Sequence, residues 1–159
     1  MDTTPLRHAH HALLEAAATV AGAGTADRPP SDGEWDAGQI LAHVSLIDAA
    51  TVAAVVSAAS GAVTTYDNRV AQDAWTLGRV GALAGGEAGL RERVRLQGEA
   101  LCALVAPLSE AELDTPVPTL LLSHGQVLVD RPMPLRDIVT GLAEAELPGH
   151  TKQLLALLP

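Results

Sequence analysis

Asp36-Ala37-Gly38-Gln39-Ile40-Leu41-Ala42-His43-Val44-Ser45-Leu46-Ile47 reads as the start of a long helix. The Asp36 carboxylate can accept from backbone N–H groups at the helix start, and Gln39, three residues on, completes a capping box. Ile40, Leu41, Val44 and Ile47 recur at helical spacing, and Val52, Val55 and Val56 continue the stripe to Ser60-Gly61. His43 sits inside that stripe, where an imidazole is costly unless it has a partner.

Working outward, a first helix is expected over residues 5–20, with Thr3 or Thr4 as cap and Pro5 in the first turn. Residues 22–33 read as a loop from their Pro, Gly and Asp content, and residues 64–68 read as a connection. A short helix is expected over residues 71–83, ending before Gly85-Gly86, and helix three over residues 87–105, stopped by Pro107. Leu90, Val94, Leu101 and Leu104 share one face of helix three, which Gln97 interrupts. Ser109 and Glu112 form a second capping box, but Asp114, Pro116 and Pro118 limit it to one turn. Residues 119–122 and 126–129 flank Ser123-His124-Gly125 as a small β-hairpin, and helix four runs from about Pro134 to Leu157. The expected architecture is therefore a single all-α domain over residues 1–159, a four-helix bundle with a β-hairpin inserted between helices three and four.

Composition fits a helical core. The 159 residues contain no Phe, two Trp and one Tyr, so Ala, Leu and Val must supply nearly all the packing, and Ala and Leu are strong helix formers. A domain of this length buries roughly 68–70% of its surface, enough for a core without stapling. The net charge of −9 argues against nucleic-acid binding, because a phosphate backbone needs clustered cations. The densest basic run, Arg91, Arg93 and Arg95, is broken by Glu92 and reads as a solvated helix face. Cys102 is the single cysteine, which excludes an intramolecular disulfide, and its apolar surroundings mark it as a buried thiol. The uncharged stretch over residues 49–66 is too rich in Ala, Ser, Thr and Gly to favour membrane insertion. No targeting segment is recognisable, so a cytoplasmic protein without membrane contact is expected. So few charges on apolar helices also make a homodimer an expectation.

The chemistry-bearing residues lie on two helices. Ile138, Leu142, Glu146, His150 and Leu154 are each four residues after the last and share one face of helix four, so an apolar stripe acquires two polar members. If helices two and four face each other, His43, Glu146 and His150 converge. Two imidazoles and a carboxylate can ligate Zn²⁺, Ni²⁺ or Fe²⁺ and leave positions open for water or substrate. Spacing alone leaves this reading level with a buried Glu–His ion pair or a Glu146 facing solvent. Pro148-Gly149 stands between two of the three residues, and a kink there could rotate His150 relative to Glu146, so that either the site tolerates it or the metal geometry has drifted.

At these residues the chain resembles a known family. Residues 33–43, with Trp35 and Asp36 ahead of His43, resemble the helix-two signature of the DinB/YfiT-like superfamily. Pro134-Leu135-Arg136-Asp137-Ile138, continuing through Glu146, His150 and Gln153, resembles that superfamily's last helix, with two metal ligands four residues apart. Glu in the first of those positions is the pattern of the mycothiol-dependent maleylpyruvate isomerases. The resemblance covers most of the chain, including residues 108–113 and the hairpin. It implies His43, Glu146 and His150 as ligands of a divalent metal that binds a low-molecular-weight thiol of mycothiol or bacillithiol type and presents it to a small electrophile. Zn²⁺ suits that chemistry best, because thiolate is a soft ligand. The implied activity is a metal-dependent thiol transferase or isomerase. A hydrolase using the same ligands, and a non-catalytic stress-response protein with a vestigial site, are the alternatives.

Other candidates are weaker. His8, His10 and His11 on helix one include an i, i+3 pair without a third ligand, and read as solvent-facing or adventitious. His124 reads as exposed in the hairpin turn. Tyr66, Asp67 and Asn68 could reach the mouth of a bundle site, although a turn of Asp and Asn is the favoured explanation. Trp35 is expected to pack where helix two begins.

Overall fold

The computed structural model describes residues 1–24, 34–62, 64–123 and 125–159; most of the loop expected over residues 22–33, and His124, lie outside them. Four of the helices expected from the sequence are present as α1 (Thr4–Gly22), α2 (Ala37–Ser60), α3 (Ala74–Ala84) and α4 (Glu87–Val105). Thr3 precedes α1 but makes no side-chain cap; instead Asp2 Oδ1 accepts from the Thr4 N–H at 2.9 Å. The capping box of α2 forms as read: Asp36 Oδ1 accepts from the Gln39 N–H at 2.7 Å, and Gln39 Oε1 accepts from the Asp36 N–H at 3.0 Å. Gly61, at φ 69°, closes α2 in the left-handed conformation that only glycine adopts without strain. The second capping box, at Ser109 and Glu112, starts the single turn α5 (Glu110–Leu113).

The expectation of an all-α chain needs correction. The protein is mostly helical but carries a three-stranded sheet in the order β1 (Tyr66–Asp67), β2 (Pro116–Ser123), β3 (Gln126–Pro134). The hairpin is about twice the expected length, because its prolines are accommodated rather than excluded. Pro116 lies opposite Pro134 and Pro118 opposite Pro132. Residues facing each other without exchanging N–H bonds recur at every second position of an antiparallel ladder, and there proline gives up no ladder donor. The segment read as a connection contributes β1, parallel to β2, with Tyr66 beside Thr119 and Asp67 beside Leu120. Asn68 prolongs that ladder with its side chain: its Nδ2 donates to Leu122 O at 2.9 Å and its Oδ1 accepts from the Leu122 N–H at 2.8 Å.

The last helix is not uniform. It begins as α6 (Leu135–Gly141), widens into a π turn over Leu142–Glu146, and continues as α7 (Leu147–Leu155). In the widened turn the Leu147 N–H donates to Leu142 O, five residues back. Pro148 supplies the physical reason. It has no N–H to give, and its ring would press on the carbonyl of the preceding turn, so a wider turn just before it relieves the conflict. The extra residue breaks the expected stripe. The core continues from Leu142 to the fully buried Leu147 and Leu154, while Glu146 and His150, half-buried, turn towards a cleft.

Helix α1 packs on α4 and α7, and α2 packs on α3, α4 and α7. Ile40, Leu41, Val44, Leu90, Val94 and Leu101 are among the buried side chains of one continuous apolar core. Two expected core positions fall outside it: Val56 and Leu104 are exposed. Gln97, which interrupts the α4 face, is explained by a reciprocal contact. Its Oε1 accepts from Ser45 Oγ at 3.0 Å, and its Nε2 donates to Ser45 O at 3.1 Å. Helix α2 is long and apolar enough to cross a membrane by length and composition, but 61% of its most apolar window is buried inside the protein.

Candidate metal centre

His43, Glu146 and His150 come together. His43 Nε2 lies 2.9 Å from Glu146 Oε1, and His150 Nε2 lies 3.4 Å from the same oxygen. The three potential ligand atoms lie within 4.8 Å of one another. A metal held at about 2.0–2.2 Å by N and O ligands needs donors roughly 3–4 Å apart, so a small inward adjustment accommodates one. Among the described residues this is the one cluster of three or more His, Cys, Asp or Glu with that spacing.

Each imidazole is oriented from behind. His43 Nδ1 lies 2.7 Å from Ala71 O, the carbonyl of the 3-10 turn Val70–Gln72. A carbonyl can only accept, so Nδ1 carries the proton and Nε2 faces Glu146. His150 Nδ1 lies 2.9 Å from Gln153 Oε1, one turn on along α7. These outer contacts are the kind that fix tautomer and ring plane in metal-ligating histidines. With Nδ1 thus committed, an Nε2 lone pair and a carboxylate oxygen at 2.9 Å repel unless a positive charge lies between them, either a proton or a metal cation. The donor set therefore fits a divalent metal.

Burial pushes the Glu146 carboxyl up, but hydrogen bonds from His150 and His43, and their charge, outweigh it and hold it well below the usual carboxylate range. The concern that Pro148-Gly149 would turn His150 away is not realised. The irregularity is absorbed by the π turn that ends at Glu146, and His150, four positions on in the first turns of α7, still reaches the Glu146 carboxylate. Pro148 thereby favours the geometry of the site. Pro148→Ala is expected to let the turn relax to α, raise stability by about 0.5–2 kcal/mol and weaken metal binding at least about tenfold. Thermal denaturation paired with a metal titration checks this, and equal metal affinity in the two proteins would dismiss the role of the π turn.

The sequence reading missed several participants. Trp35 does more than pack at the start of α2: its ring centroid lies 4.8 Å from that of His43 and 6.2 Å from that of His150, nearly parallel to the latter. The Ala71 carbonyl carries no sequence signal, because it is backbone brought in by the fold. Tyr66 and Asn68 do line the cleft, as do Ile47, Leu121 and Met133, and the space amounts to about 710 Å³. Asp67, by contrast, pairs with Arg69 at the surface.

His10 was misread. It is buried, whereas His8 and His11 are exposed. Its Nε2 lies 3.0 Å from Asp48 Oδ1 and its Nδ1 lies 3.1 Å from Leu6 O, and neither His10 nor Asp48 lines the cleft. A Cβ on Gly98 would sit 2.7 Å from His10 Cδ2, so the absence of a side chain at residue 98 makes room for the ring. Cys102 is buried, and burial pushes its thiol up, consistent with an inert core thiol. A scan against protein-family models, a search of curated proteins and a search of solved structures each found no match to this chain.

Proposed function

We propose that this protein is a metal-dependent thiol transferase or isomerase of the DinB/YfiT-like type, its helices arranged as that superfamily's four-helix bundle. The observation that carries the reading is the convergence of His43 Nε2, Glu146 Oε1 and His150 Nε2 at one edge of a cleft, with His43 locked from behind by Ala71 O. The resemblance of residues 33–43 and 134–153 to the superfamily's ligand-bearing segments supports it.

On this reading His43, Glu146 and His150 hold a divalent metal, with Zn²⁺ preferred and Ni²⁺ or Fe²⁺ as alternatives. When bound, the metal supplies Lewis acidity that lowers the pKa of a thiol and stabilises its thiolate beside an electrophile. The protein's own part is positional. Ala71 and Gln153 hold the imidazoles in the ligating tautomer, the Trp35 ring covers them against water, and the apolar wall of the cleft seats the substrate body. Tyr66 is no candidate base. Burial raises its phenol to about 12, and Thr51, whose own proton goes to Ile47 O, receives the Tyr66 proton in a hydrogen bond.

Metal content is the test. Protein loaded with Zn²⁺ and dialysed is expected to retain about one equivalent, and the His43→Ala variant to retain essentially none. Folded wild-type protein that binds no divalent metal would reject the proposal. With metal established, a thiol-conjugation assay run beside an ester-hydrolysis assay separates the transferase from a hydrolase.

A further inference from the structure

The cleft beside the three ligands has a pronounced charge bias. Among the described residues lining it there is no Lys or Arg, whereas Glu34 and Asp137 add two carboxylates to that of Glu146. The remaining wall is largely aliphatic, with Ile47, Leu121, Leu122, Met133, Ile138 and Leu142.

Its polar side chains are largely engaged with the protein itself. The Asn68 amide is paired at both ends with the Leu122 backbone, and the Gln72 amide donates to Leu122 O. The Tyr66 hydroxyl is turned to Thr51, and Gln153 Oε1 to His150.

An anionic group entering this space would lose water and meet the exposed Glu34 and Asp137 carboxylates, while the positive charge held between His43 and Glu146 is already matched by the Glu146 carboxylate. A divalent metal with Glu146 leaves one net positive charge, which a single thiolate cancels. A second anionic group on the same ligand has nothing to pair with.

We propose that the cleft takes a ligand with an apolar body that is uncharged or cationic, and that it discriminates against ligands bearing carboxylates. That the ligand's donor atom is a thiol rests on the metal-dependent function proposed above; the charge preference rests on the cleft lining alone. The expected substrate class is thus a neutral or amine-bearing thiol, and dicarboxylate thiols and electrophiles are poor ligands.

Trp35 lines the cleft, while Trp75 is 77% exposed on α3, so a Trp75→Phe background leaves one fluorescent reporter at the site. Three benzyl thiols of matched size, carrying a para methyl, para aminomethyl or para carboxylate group, are titrated into the full chain with and without Zn²⁺. The methyl and aminomethyl thiols are expected to bind at least about tenfold more tightly than the carboxylate in both series. In a Glu34→Gln/Asp137→Asn variant that gap is expected to narrow. A carboxylate thiol that binds as well as the others, or no quenching by any of the three, overturns the proposal. If Zn²⁺ is not retained, the metal reading fails by itself, and the order of the three probes in the metal-free series still decides the charge preference.

Discussion

Replacing Asp48 by alanine is expected to lower stability by about 3–5 kcal/mol, the usual consequence of leaving a buried charge or polar partner unpaired. Asp48 is fully buried on α2, and its carboxylate is met by His10 Nε2 at 3.0 and 3.2 Å from α1. The alanine variant leaves the imidazole facing a cavity among apolar side chains. A domain with a total stability of about 5–15 kcal/mol would lose a large fraction of it, read as a fall in Tm of roughly 10 °C.

The pair also predicts a pH dependence. Burial opposes charge on His10, but the hydrogen bond and charge of Asp48 outweigh it and raise the His10 pKa above its ordinary value of 6.5. A raised folded-state pKa contributes stability that is fully present below 6.5 and is lost as pH rises through the folded value. The wild-type protein is therefore expected to lose stability across that window, and the Asp48→Ala variant to lack this dependence. Denaturant unfolding at several pH values measures both. An alanine variant within about 1 kcal/mol of wild type would show that the pair is structurally idle.

Glu146→Gln is expected to weaken metal binding more than about 100-fold, because loss of an outer partner alone commonly costs 10–100-fold and Glu146 contacts both imidazoles directly. The substitution keeps the size of the side chain but removes the one anionic ligand. In the wild type, metal affinity is expected to fall as pH drops, since each ligand must shed its proton to bind.

The metal-free protein gives an independent reading. The Glu146 carboxyl is depressed, so its contribution is present above its usual value of 4.5 and is lost as pH falls through the folded value. Its side chain is 38% exposed and solvent screens the interaction, so only a shallower acid-unfolding slope is expected in the Gln variant. Competition with a chromogenic chelator measures the affinity; a Gln variant that holds metal as tightly as wild type would remove Glu146 from the site.

The helices α2 and α4 were legible because their signals are local. Asp36 and Gln39 close a capping box within four residues, and the apolar spacing of Ile40, Leu41, Val44 and Ile47 repeats at the helical period. His43 stood out for the same reason, as a polar residue on an apolar stripe. The sheet was harder to read. Prolines 116, 118, 132 and 134 argue against a strand until their cross-strand pairing places them where no ladder N–H is required. β1 is two residues long and is extended by the Asn68 side chain, which no period can reveal.

The candidate site divides in the same way. The chain order alone determined that a histidine interrupts the apolar face of α2, and that a carboxylate and a second histidine follow four apart near its end. Only the tertiary structure decided that the three meet, because that depends on how the last helix passes Pro148. Straight α geometry would have carried Glu146 and His150 along the same stripe as Leu142 and Leu154. The π turn instead puts Leu147 in the core and turns Glu146 and His150 towards the cleft. The partner of His10 was hidden for a related reason: Asp48 lies 38 residues away, and only the packing of both α1 and α2 on α4 joins them. Periodicity reports which face of a helix is apolar, whereas a contact between distant polar groups is settled by helix register and packing, and these exist only in the folded chain.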